Sequence, residues 1–434
     1  MSQPEALVVD DLKRLDIGSA EFRRDAFETY RELNAECPVH RVVITNGDQG
    51  GEQQGFFNRP IIFVTGYDEA SAALLDPRFS VDAFSMMTEE QLAQMPETAE
   101  EFRPLRRSVL SVDPPDHTRL RKLVQKNFTA GEIEKLRPRI REIAEALVDE
   151  AITAAEARGE TAPNRTMELI SQFSYPLPMT VIAEMLGVPE ADRDDVRRWS
   201  ENLLSSQRAT PDQQEDTLRN LRAFIDYLRT LFAAKRVEPG DDLISAMVQA
   251  EEDGDKLDED ELLSMVFILI VAGHITTVNL IASTVFALLT HPDQIAKLKA
   301  DRSLVKNTVE ETLRYWGPAE TTTARFAKEE VELGGVTIGR GEPLIAALAA
   351  ADRDPDRFAN PEAFDIERAD ANRHMAFGKG LHVCLGAPLA RLEGQVALEV
   401  LLDRLPDLTL GVPAEEITWQ ASFLRSLTAL PVKF

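Results

Sequence analysis

One thiol inside a glycine-rich run constrains this chain more than any other feature. Cys384 sits in Ala376-Phe377-Gly378-Lys379-Gly380-Leu381-His382-Val383-Cys384-Leu385-Gly386, and Ala387-Pro388-Leu389-Ala390-Arg391-Leu392-Glu393 follows at once. The second stretch reads as the first turns of a helix, where proline is tolerated because the first N–H groups have no partner. A cysteine just ahead of a helix N-terminus feels the positive end of the dipole, which favours its thiolate. Gly378, Gly380 and Gly386 let the backbone adopt positive φ and approach a flat ligand closely. The run suits a loop that presents one thiolate to a large planar metal cofactor. A lone cysteine is more often an ordinary buried residue. A structural zinc site is poorly served, because the other cysteine is Cys37, and Cys384 with His382 supplies two ligands where about four are needed.

The chain has 434 residues, 44% of them hydrophobic, enough for a large core. Two cysteines exclude a disulfide scaffold and point to a reducing compartment. Met1-Ser2-Gln3-Pro4-Glu5-Ala6 has neither a basic nor an apolar signal region. The strongly apolar run from Met265 to Ala272 is too short to span a bilayer. A soluble, cytoplasmic protein is expected. A net charge of −26 argues against binding nucleic acid or an anionic membrane nonspecifically.

Helical patterns dominate, with short strand patterns near both ends. Val42-Val43-Ile44-Thr45 and Ile61-Ile62-Phe63-Val64 are predicted strands around a polar loop, Asn46 to Gly55. Residues 132 to 158 read as one long amphipathic helix. Glu168 to Leu186 reads as helical but broken at Pro176 and Pro178. Helices are also expected over Asp192–Leu204, Glu215–Arg236 and Asp258–Leu289, the last ended by His291-Pro292. Strands and turns follow Pro318, notably Val331 to Ile338. No linker or internal repeat divides the chain, so one mostly α domain with a minor β part is expected.

The run at Cys384 resembles the heme-binding loop of the cytochrome P450 family. That pattern is Phe-Gly, a glycine two further on, a basic residue, the cysteine and a glycine. Phe377, Gly378, Gly380, His382, Cys384 and Gly386 meet it without a gap. The resemblance implies a mainly α fold with a minor β part, a triangular prism of helices around a buried heme b. The Cys384 thiolate would be the axial iron ligand, with Phe377, Gly378 and Gly386 against the cofactor. The likeness runs from about Phe22 to the carboxyl end, with residues 1–434 as one domain and 1–21 loosely ordered. Leu385 to Glu393 and Ala351-Asp352-Arg353-Asp354-Pro355 look like the soluble bacterial branch.

Other segments match the same family in its own order. Glu311 and Arg314 lie three apart, hence on one helical face. By resemblance they form the structural Glu-x-x-Arg pair, with Arg368 as the downstream partner. Asp113-Pro114-Pro115-Asp116 opens a helix carrying His117 and Arg121 on one face, suited to a heme propionate. Arg325 and His382 stand where the family places further propionate contacts. On the long helix, Gly273, Thr276 and Thr277 cost helix propensity. A threonine hydroxyl there competes for a backbone carbonyl and opens the groove. The resemblance makes Thr276 the alcohol that organises proton delivery, with Ala272 and Gly273 facing the heme a turn earlier. The position before the threonine is usually acidic, and here it is Ile275, which cannot relay a proton. His274 projects about 100° away around the helix.

The resemblance draws the substrate pocket from residues 82 to 95, with Phe84, Met86, Met87 and Met95. It adds Leu203, Leu204, Leu269, Ala319, Thr322, Phe423 and Leu424. These are mostly apolar and suit a medium or large hydrophobic molecule. Arg106, Arg107, Arg119, Lys122 and Lys126 form a basic stretch in an acidic protein. On the cysteine side of the heme it would steer an acidic ferredoxin or a flavodoxin. The chain has no Gly-rich dinucleotide fingerprint and no cluster cysteines, so electrons must come from separate partners. The expected activity is insertion of one oxygen atom from O2 by a monomer. A peroxide-driven peroxygenase and a non-enzymatic heme protein are the other classes to separate from it.

Overall fold

The computed structural model describes residues 12–45, 58–87, 102–205, 211–249 and 257–434. The strands are β1 (Lys13–Leu15), β2 (Val39–Ile44), β3 (Pro60–Val64), β4 (Phe79–Ser80), β5 (Thr166–Glu168), β6 (Arg325–Ala327), β7 (Val331–Leu333), β8 (Val336–Ile338), β9 (Pro343–Ala346), β10 (Thr409–Leu410) and β11 (Pro431–Lys433). The two β-rich segments near the N-terminus pair antiparallel as β2 and β3, with Val42 opposite Ile61. Chain-distant strands complete a sheet in the order β1-β2-β3-β9-β6-β4. β1 belongs to it, pairing parallel with β2, and Leu15 and Ile17 are buried. The expectation of a loose segment through residue 21 is therefore corrected from Lys13 onward. Apolar contact and a strand partner hold what the sequence left without a visible anchor.

The helices that build the site are α1 (Ala20–Glu36), α2 (Asp116–Gln125), α3 (Arg137–Ala157), α4 (Pro176–Leu186), α5 (Glu259–Thr290), α6 (Val305–Trp316) and α7 (Ala387–Arg404). α5 begins in a capping box: Glu261 N–H donates to Asp258 Oδ1 at 2.8 Å, and Asp258 N–H to Glu261 Oε2. It is long and apolar enough to cross a membrane by length and composition, yet most of it is buried against α4, α6 and α7. One apolar core spans α2, α3, α4, α5 and α7, and a second lies under the sheet.

Two helix expectations are corrected. Residues 132–158 are not one helix: Ala130–Glu134 ends before α3 begins at Arg137. Pro138 has no N–H to continue the ladder onto Glu134. Pro176 and Pro178 do not break a helix but open α4, where missing N–H groups cost nothing. The chain before them forms a wide π turn over Ile170–Ser174, closed by Tyr175 N–H to Ile170 O at 2.8 Å.

Candidate active site around Cys384

The loop that carries the thiol closes on itself. Gly378 N–H donates to Met375 O at 2.7 Å, and Cys384 N–H donates to Phe377 O at 2.9 Å. Gly378 and Gly380 adopt φ of 68° and 74°, which side chains resist, and a Cβ on Gly380 would meet Leu74 O at 2.6 Å. Gly386 differs from expectation, with φ −80°. A Cβ there would lie 4.0 Å from Cys384 Sγ, an ordinary van der Waals separation.

Cys384 retains solvent access but is walled by protein. That surrounding pushes its thiol above the ordinary value, outweighing the N–H groups of Gly386 and Ala387 and the charges of Arg121 and Arg391. The helix terminus thus acts in the expected direction without winning. A bound metal reverses the outcome, because a coordinating thiol is deprotonated outright.

His117, Arg325 and His382 converge beside this loop. The rings of His117 and His382 lie 4.3 Å apart, centroid to centroid. Both nitrogens of His117, Nε2 of His382 and Nε of Arg325 are buried without a hydrogen-bond partner. Burial lowers His382 to about 4, helped by His117 and Arg325, and burial then Arg121 lowers His117. Orphaned donors gathered in one place want an anion. They fit the carboxylates of a heme. Arg121 is engaged differently, donating through Nη2 to Val383 O at 2.8 Å, which ties α2 to the cysteine loop.

Beneath the loop, the carboxylate of Glu311 accepts from Arg314 Nε and Nη2 at 2.8 Å each, and from Arg368 Nε at 3.1–3.2 Å. A second network, missed in the sequence, joins Glu310 to Arg391 at 2.6 Å and to His374 at 3.1 Å. The Arg391 guanidinium lies 4.5 Å from the Phe377 ring centroid. Its only sequence signal was a second acid next to Glu311.

On α5, Thr276 Oγ1 donates to Ala272 O at 2.8 Å, the side-chain bond that competes with the helix ladder. Ala272 is exposed and Thr276 half-buried. Gly273 is corrected: the place its Cβ would take points at Ile182 of α4, 3.2 Å away. It serves helix packing. His274 is buried, bonded to Ile270 O at 2.7 Å and to the Tyr175 hydroxyl at 3.2 Å. The sequence also missed Glu393 of α7, a buried acid raised well above its ordinary value by burial. The Thr277 hydroxyl acts on it, though neither carboxyl oxygen makes a well-formed hydrogen bond.

Of the expected pocket residues, Ala319 and Leu424 meet in an isolated antiparallel bridge. Phe84, in a short turn with Met86, carries the Arg106 guanidinium 4.7 Å from its ring centroid, and Met87 is exposed. Leu269 is buried in the main core and Leu203 packs against it. Phe423 packs against the apolar cluster of α1 and the sheet. Thr322 is corrected in part, since its hydroxyl accepts from Ala346 N–H at 3.1 Å and is committed to the end of β9. Met95 and the Leu204 side chain lie outside the described residues.

Part of the basic stretch is engaged within the protein. Arg119 pairs with Glu261, Arg107 with Asp116 and Glu261, and Arg103 with Asp260, so these charges answer the acidic first turn of α5. Arg106 is drawn to Phe84. Lys122 and Lys126 stay exposed.

Known proteins decide the family. A family model described as Cytochrome P450 matches residues 56–406. The chain belongs to the cytochrome P450 family. It is 43% identical to the cytochrome P450 monooxygenase PikC of Streptomyces venezuelae, over 97% of this chain and 94% of that one. It is 40% identical to 6-deoxyerythronolide B hydroxylase of Saccharopolyspora erythraea, over 96% and 98%. A myxobacterial cytochrome P450 solved in complex with myristic acid superposes with a TM-score of 0.84, at 40% identity, over 96% and 98%. This P450 is a monooxygenase with a heme cofactor, and Cys384 is its axial thiolate.

Proposed function

We propose that this P450 hydroxylates or epoxidises a medium-to-large hydrophobic molecule, using electrons from a separate ferredoxin or flavodoxin. The observation that carries the reading is the set of orphaned donors on His117, Arg325 and His382 beside the Cys384 loop. These would hold the heme propionates, and Arg121 would hold the loop in place. Bound heme supplies reductive activation of O2, one atom going to substrate and one to water, with two electrons and two protons consumed. The apolar residues Phe84, Met86, Leu269, Ala319 and Leu424 are the walls that would exclude water and orient the substrate. The 6-deoxyerythronolide B named for one relative and the myristic acid in another suit such a size range. Difference spectra with a fatty-acid and macrolide series test it: hydrophobic members should displace iron-bound water, and no response from any would refute the pocket.

Proton delivery must work without an acid at position 275. Thr276 would pass protons, and Glu393, kept protonated by burial next to Thr277, would supply them. Glu393→Gln is expected to lower the fraction of electrons ending in product by several-fold, and adding Ile275→Glu to restore part of it. Thr276→Ala should cost coupling only modestly, because a relay lacking its usual acid has less to lose. Product and peroxide yields measure both, and unchanged coupling in Glu393→Gln would remove that residue from the route. Ile275 also favours a second reading, a peroxygenase. Faster turnover with hydrogen peroxide than with a reductase system would establish it.

The electron donor would dock on the exposed Leu381 and Val383 of the cysteine loop and on Lys122 and Lys126, which follow Arg121, the residue that ties α2 to that loop. Lys122→Glu with Lys126→Glu should slow reduction by an acidic ferredoxin several-fold at low salt, the difference fading at high salt. Equal rates at low salt would move the docking face. Cys37 and Cys384 form no disulfide, which suits a reducing cytoplasm, where the chain would act as a single-domain monomer.

A further inference from the structure

Glu320 directly follows the pocket residue Ala319, yet its carboxylate is fully buried. Two guanidiniums hold it, Arg23 of α1 through Nη1 and Arg425 through Nε, and the Tyr30 hydroxyl donates to it at 3.2 Å. Arg23 also grips the main chain of the opposite wall, and Arg425 stands in that wall next to Leu424. Arg23 Nε donates to Ser422 O at 2.8 Å, Arg425 Nη2 to Arg23 O at 3.3 Å, and Arg425 N–H to Pro318 O at 2.8 Å. Phe423 and Leu424 lie between these anchors, and Leu424 is bridged to Ala319. No regular sheet continues that bridge, so its main-chain bond and apolar contact fix the two irregular segments only locally. Directional charged bonds do not slide.

We propose that Glu320, with Arg23 and Arg425, is a positioning residue for substrate, a buried charge cluster that fixes the spacing between the pocket walls at Ala319 and at Phe423-Leu424. This rests on the pocket reading above. The composition of the cluster supports positioning over simple stability. Two cations face one anion in a dry site, and Arg23 Nη2 finds no partner. Buried ion clusters of that kind add little net stability compared with apolar packing, and fixing one geometry is what they offer in exchange.

The test compares two azoles on the heme-loaded protein. Imidazole ligates iron without reaching the walls, whereas 4-phenylimidazole adds a ring that must fit between them. Glu320→Gln should weaken 4-phenylimidazole roughly tenfold while imidazole stays within about twofold, read by absorbance titration. Tyr30→Phe, which removes one hydroxyl and keeps both charges, should give a smaller shift of the same selectivity, and it decides the matter if Glu320→Gln does not fold. Equal changes for both azoles, or none for either, would overturn the proposal and leave the cluster a structural one. Leu424→Trp is the control for the pocket. If it leaves 4-phenylimidazole affinity unchanged, residue 424 does not line the pocket, and the pocket reading fails first.

Discussion

Replacing Cys384 by serine should abolish the spectrum that a thiolate gives to the reduced carbon monoxide complex, and with it monooxygenase turnover. A serine hydroxyl does not ionise at neutral pH and cannot donate the electron density that favours O–O cleavage. The fold should survive, because the loop is held by bonds that do not involve the sulfur. Cys384 N–H still reaches Phe377 O, Gly378 N–H still reaches Met375 O, and Arg121 still binds Val383 O. Far-ultraviolet circular dichroism of the variant should match that of the parent. A thiolate-type carbon monoxide spectrum in Cys384→Ser would mean that the ligand has been assigned to the wrong residue.

The second large effect falls on stability. Arg314 uses all five of its N–H groups: on both oxygens of the buried Glu311 and on the carbonyls of Asp352, Pro361 and Ala363. Lysine offers three donors from one point and cannot copy that planar fork. Arg314→Lys keeps the charge but leaves buried acceptors unmet, at about 1–3 kcal/mol each, so a loss of about 2–4 kcal/mol is expected. The damage should spread to the cofactor, because those carbonyls belong to the segment that leads into the Cys384 loop. Urea unfolding and the fraction of protein retaining heme measure both. A variant with parental unfolding midpoint and full heme content would show that the triad does not hold the loop.

Much of the candidate site is legible because its motifs are local. Glu311 and Arg314 share a helical face by spacing alone, as do His117 and Arg121, and the run from Phe377 to Gly386 keeps its order in space. The illegible parts depend on partners far away in the chain. Glu261 caps α5, but nothing in the sequence said that Arg119, 142 residues earlier, would neutralise it. That pairing is why part of the basic stretch, Arg119 above all, serves as counter-charge to the first turn of α5. The resemblance set Gly273 against the cofactor, and the neighbour that the place of its Cβ faces, Ile182, lies on α4.

The amino-acid sequence by itself determined the family, the thiolate ligand, the long core helix and its caps, and the class of chemistry. Each of these is written in contiguous residues or in helical and strand periodicity. Tertiary structure alone decided which charges are spent inside the fold, which buried acid stands beside Thr277, and how Ala319 and Leu424 are held together. Glu320 shows the reason most plainly. Its partners Arg23 and Arg425 lie 297 and 105 residues away, and only burial makes their bonds directional and unavoidable. A charge beside an alanine looks like surface until the fold closes over it.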